Sequence, residues 1–82
     1  MYFKFLSGKP EYDRENDVWR TKTGRIVPIS WMTNTHINNC LNCLRGEGES
    51  EIPDIYMGRT KDEWTAIFEC ELNTRRLAGE NI

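Results

Sequence analysis

Two stretches of the chain repeat apolar residues at three- and four-residue intervals, while shorter runs of strand-forming residues lie towards its start. Between Thr33 and Arg45, the residues Ile37, Cys40, Leu41 and Leu44 fall on one stripe and predict an amphipathic helix over about 33–45. Ser30 and Thr33 each offer a side-chain oxygen to an unpaired amide at its start. Gly46 suits the left-handed residue that ends such a helix. Trp31 and Met32 precede it and are expected to staple its start to the core. A second stripe, Trp64, Ile67, Phe68 and Leu72 with Glu71 beside it, predicts a helix over about 61–77. Thr60 and Glu63 form a capping box at its start. Asp62 and Glu63 in the first turn and Arg75 and Arg76 in the last complement the dipole, and Gly79 closes the helix.

The remaining pattern is extended. Tyr2, Phe3 and Phe5 predict a strand over 2–6, broken by Ser7, Gly8 and Pro10. A polar loop follows over 11–17, from which Tyr12 can reach back to the core. Two arms, 18–21 and 25–29, flank Lys22-Thr23-Gly24 and predict a hairpin. Pro28 has no amide hydrogen, so the second arm is an edge or stops there. Residues 47–54 are acidic, punctuated by glycine and proline, and read as a loop; Ile55, Tyr56 and Met57 form a short apolar patch ended by Gly58. The expected fold is α+β: a small N-terminal antiparallel sheet (hairpin 18–29 plus strand 2–6) followed by two helices, in a single small domain over 1–82.

Composition narrows the function classes. A chain of 82 residues buries little more than roughly 60% of its unfolded surface, so self-association is an ordinary way to add buried area. With 11 basic and 13 acidic residues the net charge of -2 argues against a nucleic-acid partner. No apolar run approaches the ~20 residues of a membrane span, and the apolar part of the first ten residues is too short for a secretory signal. A cytoplasmic protein with no membrane partner is expected. Three cysteines, an odd number, speak against a disulfide framework. The charge is unevenly spread: residues 1–46 carry seven basic and four acidic groups, net +3, and residues 47–71 carry two basic and eight acidic groups, net -6. The acidic middle is either a solvated loop and helix face or a surface for a basic partner.

Few residue groups carry chemistry. His36, Cys40 and Cys43 form H-x3-C-x2-C, and Cys70 on the second helix completes a set that would suit zinc in a small DNA-binding or regulatory module. The same cysteines equally suit a core as small apolar side chains. His36 and Cys40 also sit four apart, but no third group orients the base and no oxyanion hole is visible, so no catalytic residue, enzyme activity or cofactor is expected. Lys22-Thr23-Gly24-Arg25 places two cations around a glycine turn, either a plain hairpin turn or a phosphate contact. Trp19, Trp31 and Trp64 suit a core, an interface or stacking on a base. Asn34, Asn38, Asn39 and Asn42 line the polar side of the first helix and suggest recognition.

The stretch Trp19 to Leu44, WRTKTGRIVPISWMTNTHINNCLNCL, resembles a pattern in small phage and prophage accessory proteins. That pattern is a tryptophan, then T-K-x-G-x-x-I-x-I, then M-x-x-x-H-[IL]-x-N-x-[IL]-x-x-L. The matching positions are Trp19, Thr21, Lys22, Gly24, Val27, Ile29, Met32, His36, Ile37, Asn39, Leu41 and Leu44, with Val27 in place of the first isoleucine. The second helix, EWTAIFECELNTRR, is similar to the aromatic-plus-E-L-x-x-R helix that often follows. The resemblance implies a non-catalytic protein in the host cytoplasm that binds and neutralises a host defence component, as a homo-oligomer. Its target would be a defence protein or a cyclic-nucleotide immune signal. A protein target would meet the acidic segment Glu47 to Asp54, Glu49 and Glu51 above all, with Tyr56. A nucleotide would meet Lys22, Arg25, Trp31, His36 and Asn39, with the cations on phosphate, the indole on a base and the amide on its edge.

Overall fold

The computed structural model describes residues 12–48 and 51–79; the expected strand 2–6 and Glu49 lie outside the described residues. Within them the fold is α+β, with two short antiparallel hairpins and two helices. Strands β1 (Val18–Arg20) and β2 (Ile26–Pro28) pair with Trp19 opposite Val27. The loop between them is set by Gly24, whose φ of 88° only glycine adopts without strain, and by the Thr21 hydroxyl, which accepts from the Arg25 amide at 3.1 Å. At Pro28 the strand stops and a single 3-10 turn, Ile29–Trp31, takes over. Helix α1 (Asn34–Leu44) starts at Thr33, whose hydroxyl accepts from the His36 amide, and ends at Gly46 with φ 81°. Helix α2 (Lys61–Leu77) starts at Thr60 in a complete capping box with Glu63, and Gly79 follows its end with φ 86°.

A second hairpin, β3 (Ile55–Tyr56) paired with β4 (Arg59–Thr60), was not expected from the pattern. Its two-residue turn holds Met57 at φ 51° and Gly58 at φ 80°, the backbone of a type I′ turn. Methionine is not a residue that advertises such a turn, because left-handed backbone crowds any Cβ. The apolar patch 55–57 is therefore a strand end and half a turn.

The core joins both hairpins to both helices. Ile37, Cys40, Leu41 and Leu44 of α1 meet Trp64, Ile67 and Phe68 of α2, with Trp19, Ile29, Met32 and Ile52 filling in. Trp19 is the hub of an aromatic cluster: its ring centroid lies 4.8 Å from that of Trp64, 5.1 Å from Phe68 and 5.1 Å from Tyr56. The Trp64 indole donates to the Tyr56 carbonyl at 2.7 Å and the Tyr56 hydroxyl donates to the Arg20 carbonyl at 2.9 Å, so each hairpin is tied by a bond as well as by packing. Arg59 spans this cluster, its guanidinium over the Trp64 ring and 3.5 Å from the Asp17 carboxylate. No helix among the described residues is long and apolar enough to cross a membrane.

One expectation about the start of α1 needs correction. Met32 is 4% exposed and does staple the helix start, but Trp31 is 81% exposed and does not. A 3-10 turn has three residues per turn, so Ile29 and Met32 project together into the core and Trp31 points away.

Arg75, expected only as a dipole-complementing cation, is buried and holds this turn in place. Its guanidinium donates to the Met32 carbonyl at 2.7 Å, to the Ser30 carbonyl at 3.3 Å, to the Ile29 carbonyl at 3.4 Å and to the Asn34 side-chain oxygen. Its charge is balanced by Glu71, one helical turn earlier and wholly buried, at 2.7 Å. Glu71 in turn accepts from Tyr12 at 2.6 Å and from Arg14 at 3.0 Å, which fastens the loop before β1 onto α2. Burial alone raises the Glu71 carboxyl, but the bonds from Arg14, Tyr12 and Arg75 outweigh it and hold its pKa below the ordinary carboxylate value. The Tyr12 phenol is pushed far up by burial and by the carboxylate it bonds.

Glu71→Gln should cost about 3–5 kcal/mol at neutral pH, the loss that follows from stranding a buried partner charge. Because the native pKa of Glu71 is depressed, its contribution is complete above the unfolded-state value and is lost as pH falls through the native one. Urea midpoints measured from pH 7 down to roughly pH 3 should show the gap between wild type and Glu71→Gln closing with acid. A constant gap would contradict the charge network. Met57→Asn, at an exposed turn position, should stabilise the fold by about 1 kcal/mol by relieving left-handed backbone, read as a rise in the same midpoint.

Candidate functional site

The hairpin β1–β2, the 3-10 turn, one face of α1 and the connector after α1 enclose a groove of about 1080 Å³. The hairpin contributes Arg20, Thr21, Lys22, Thr23 and Arg25, all carried on or beside the glycine turn. Helix α1 contributes His36, Asn39, Cys40 and Cys43, spaced three, four and seven residues on from the histidine and so on one face. The connector contributes Glu47, Gly48, Glu51 and Ile52, and Trp31 and Tyr56 complete the wall.

The connector is held close by a lack of side chain. A Cβ at Gly48 would run into the Cys43 Sγ and backbone, so only glycine lets the chain cross α1 at this point. Ile52 then plugs into the core at 8% exposure and returns the chain to β3. At the other end, Arg75 fixes the 3-10 turn that carries Trp31 outward. The 3-10 turn and the described residues Gly48 and Ile52 thus border the groove with packed backbone.

Its charges are unspent. Lys22 and Arg25 make no ion pair among the described residues, and neither do Glu47 and Glu51. Trp31 presents most of an indole to solvent at the groove wall. Asn39 and Asn42 offer amides from α1. These are the elements of a site for a planar, anionic, hydrogen-bonding ligand: cations for charge, an aromatic face for stacking and amides for an edge.

The five residues expected for a nucleotide, Lys22, Arg25, Trp31, His36 and Asn39, are brought together in this one groove. Of the residues expected for a protein target, Glu51 and Tyr56 line the same groove, and Glu49 lies outside the described residues. Tyr56 is half-buried and its hydroxyl is committed to the Arg20 carbonyl, so it supports the hairpins rather than presenting a free contact. Asn42, one of the recognition asparagines, Thr23 of the phosphate-type turn and Glu47 of the acidic segment also line it, whereas Arg20 and Thr21 were not expected as contacts. Those two could have been found by following the turn outward from Lys22 and Arg25; Glu47 reaches the groove because Gly48 lies against Cys43 of α1.

The possible zinc ligands are not gathered. Cys40 is part of the core, where burial raises its thiol to about 11, while Cys43 faces Gly48 and Cys70 lies half-buried on α2. Among the described residues no three His, Cys, Asp or Glu side chains converge on a point that could hold a metal ion. All three cysteines are free thiols.

Asn34, grouped by sequence with the recognition asparagines, is turned inward to Arg75, and Asn38 does not reach the groove. Comparison with family models, with curated proteins and with solved structures finds no match to this chain.

Proposed function

We propose that this is a non-catalytic binding protein that sequesters a nucleotide signal, in keeping with the phage accessory proteins its Trp19–Leu44 stretch resembles, and that it neutralises a host defence component in this way. The observation that carries the reading is the convergence of Lys22 and Arg25, neither in an ion pair among the described residues, with exposed Trp31 in one groove that also displays His36 and Asn39. Lysine and arginine meet phosphate oxygens, the indole stacks on a base, and the Asn39 amide bonds a base edge or ribose. A groove of about 1080 Å³ has room for a dinucleotide as well as a mononucleotide, and the cyclic form comes from the resemblance.

Self-association belongs to the same proposal. Ile26, Trp31, Ile55, Met57 and Leu77 leave large apolar surface exposed on a small domain, and a second copy would cover part of it. The protein-target reading keeps Glu51 but loses Tyr56 as a free contact, and the zinc reading has no gathered ligand set.

Isothermal titration with a cyclic dinucleotide tests the reading. Replacing Lys22 and Arg25 together with alanine should weaken binding by at least about 100-fold, since each charge-assisted bond contributes roughly 1.5–3 kcal/mol. Both side chains are exposed, so thermal stability should be nearly unchanged. Binding that survives the double substitution would contradict the proposed phosphate contacts.

A further inference from the structure

The two segments that bound the groove carry opposite charge. The hairpin supplies Lys22 and Arg25, and the connector supplies Glu47 and Glu51, none of them neutralised by a partner among the described residues. A ligand that was anionic throughout would be repelled at the connector. One that was only a cation would be repelled at the hairpin. The groove calls for phosphate at one end and a donor-rich edge at the other.

Resting on the nucleotide reading above, we infer that the groove selects guanine, with Glu47 and Glu51 as the specificity-determining residues that accept from its Watson–Crick edge. An ionised carboxylate can only accept hydrogen bonds. Guanine alone among the common bases places two donors side by side on that edge, N1–H and the N2 amino group, matching the two oxygens of a carboxylate. Adenine sets an acceptor, N1, beside its single amino donor, and that lone pair would face the carboxylate charge. Cytosine has the same fault at N3, and uracil offers one N–H between two carbonyls. A purine also covers more of the Trp31 face than a pyrimidine does. Phosphate on Lys22 and Arg25, the ring on Trp31 and the edge on Glu47 and Glu51 use each kind of group the groove displays.

The connector is built to hold those carboxylates. Gly48, between them in sequence, packs its bare Cα on Cys43, and Ile52 anchors the far side of Glu51 in the core. Glu47 is itself tied by its backbone amide to the Asn42 carbonyl at 2.9 Å. Both glutamates are exposed and their side chains make no bond among the described residues, so they can be changed with little effect on the fold.

The test is calorimetric titration of the full chain with two probes, a cyclic dinucleotide carrying two guanines and one carrying two adenines. The guanine probe should bind at least about tenfold more tightly, the discrimination expected of one bidentate base contact. In the double variant Glu47→Gln and Glu51→Gln that preference should shrink by a similar factor, with adenine binding unchanged or improved. Equal affinity of the two probes, still lost on replacing Lys22 and Arg25, would overturn guanine selection and leave the nucleotide reading standing. Failure of both probes to bind wild-type protein would overturn the two together.

Discussion

The fold depends on one buried guanidinium. Arg75 reaches from the last turns of α2 to three carbonyls and a side-chain amide around the start of α1, and no other described contact gathers that junction. A buried cation is costly unless its charge is met and its donors are used. Glu71 meets the charge, and Tyr12 and Arg14 complete the carboxylate. Two segments distant in sequence, 12–14 and 29–34, are thereby clipped to one turn of α2. For a domain whose stability is expected at roughly 0.05–0.15 kcal/mol per residue, such a network is a large share of the total.

That clip has a functional consequence. The 3-10 turn it stabilises puts Ile29 and Met32 into the core and leaves Trp31 in solvent, beside a hairpin whose glycine turn lifts Lys22 and Arg25. Across the groove, the aromatic cluster around Trp19 sets the angle of that hairpin, and the Gly48 crossing sets the position of the connector. Charged side chains without an ion-pair partner among the described residues are therefore displayed beside packed backbone. Such preorganisation lets a small protein bind without first ordering its own loops.

Much of this was legible in the chain. Apolar spacing located both helices, and the capping residues Thr33, Thr60 and Glu63 and the terminal glycines Gly46 and Gly79 marked their ends, because those signals are local. The first hairpin was legible for the same reason. The second was hidden because its turn begins with methionine instead of a residue at ease in left-handed backbone. Arg75 read as a surface cation, since a charge in a last helical turn carries no sign that carbonyls from another segment will surround it. Trp31 was misplaced by one local detail, the tightening of the chain into three residues per turn. The groove residues chosen for a nucleotide did come together, whereas the zinc set did not, since helix spacing can bring His36, Cys40 and Cys43 to neighbouring turns without aiming them at one point.

The most direct measurement is an amide and indole NMR titration of the isotope-labelled protein with a cyclic dinucleotide. Three indoles are present, and two of them, Trp19 and Trp64, are sealed in the core. Binding in the groove requires the Trp31 indole signal to move together with the amides of Lys22 to Arg25, His36 and Asn39, while the Trp64 indole, which does not line the groove, and the exposed face of α2 stay still. No shift at millimolar ligand, or shifts confined to a surface away from the groove, would contradict the proposed site.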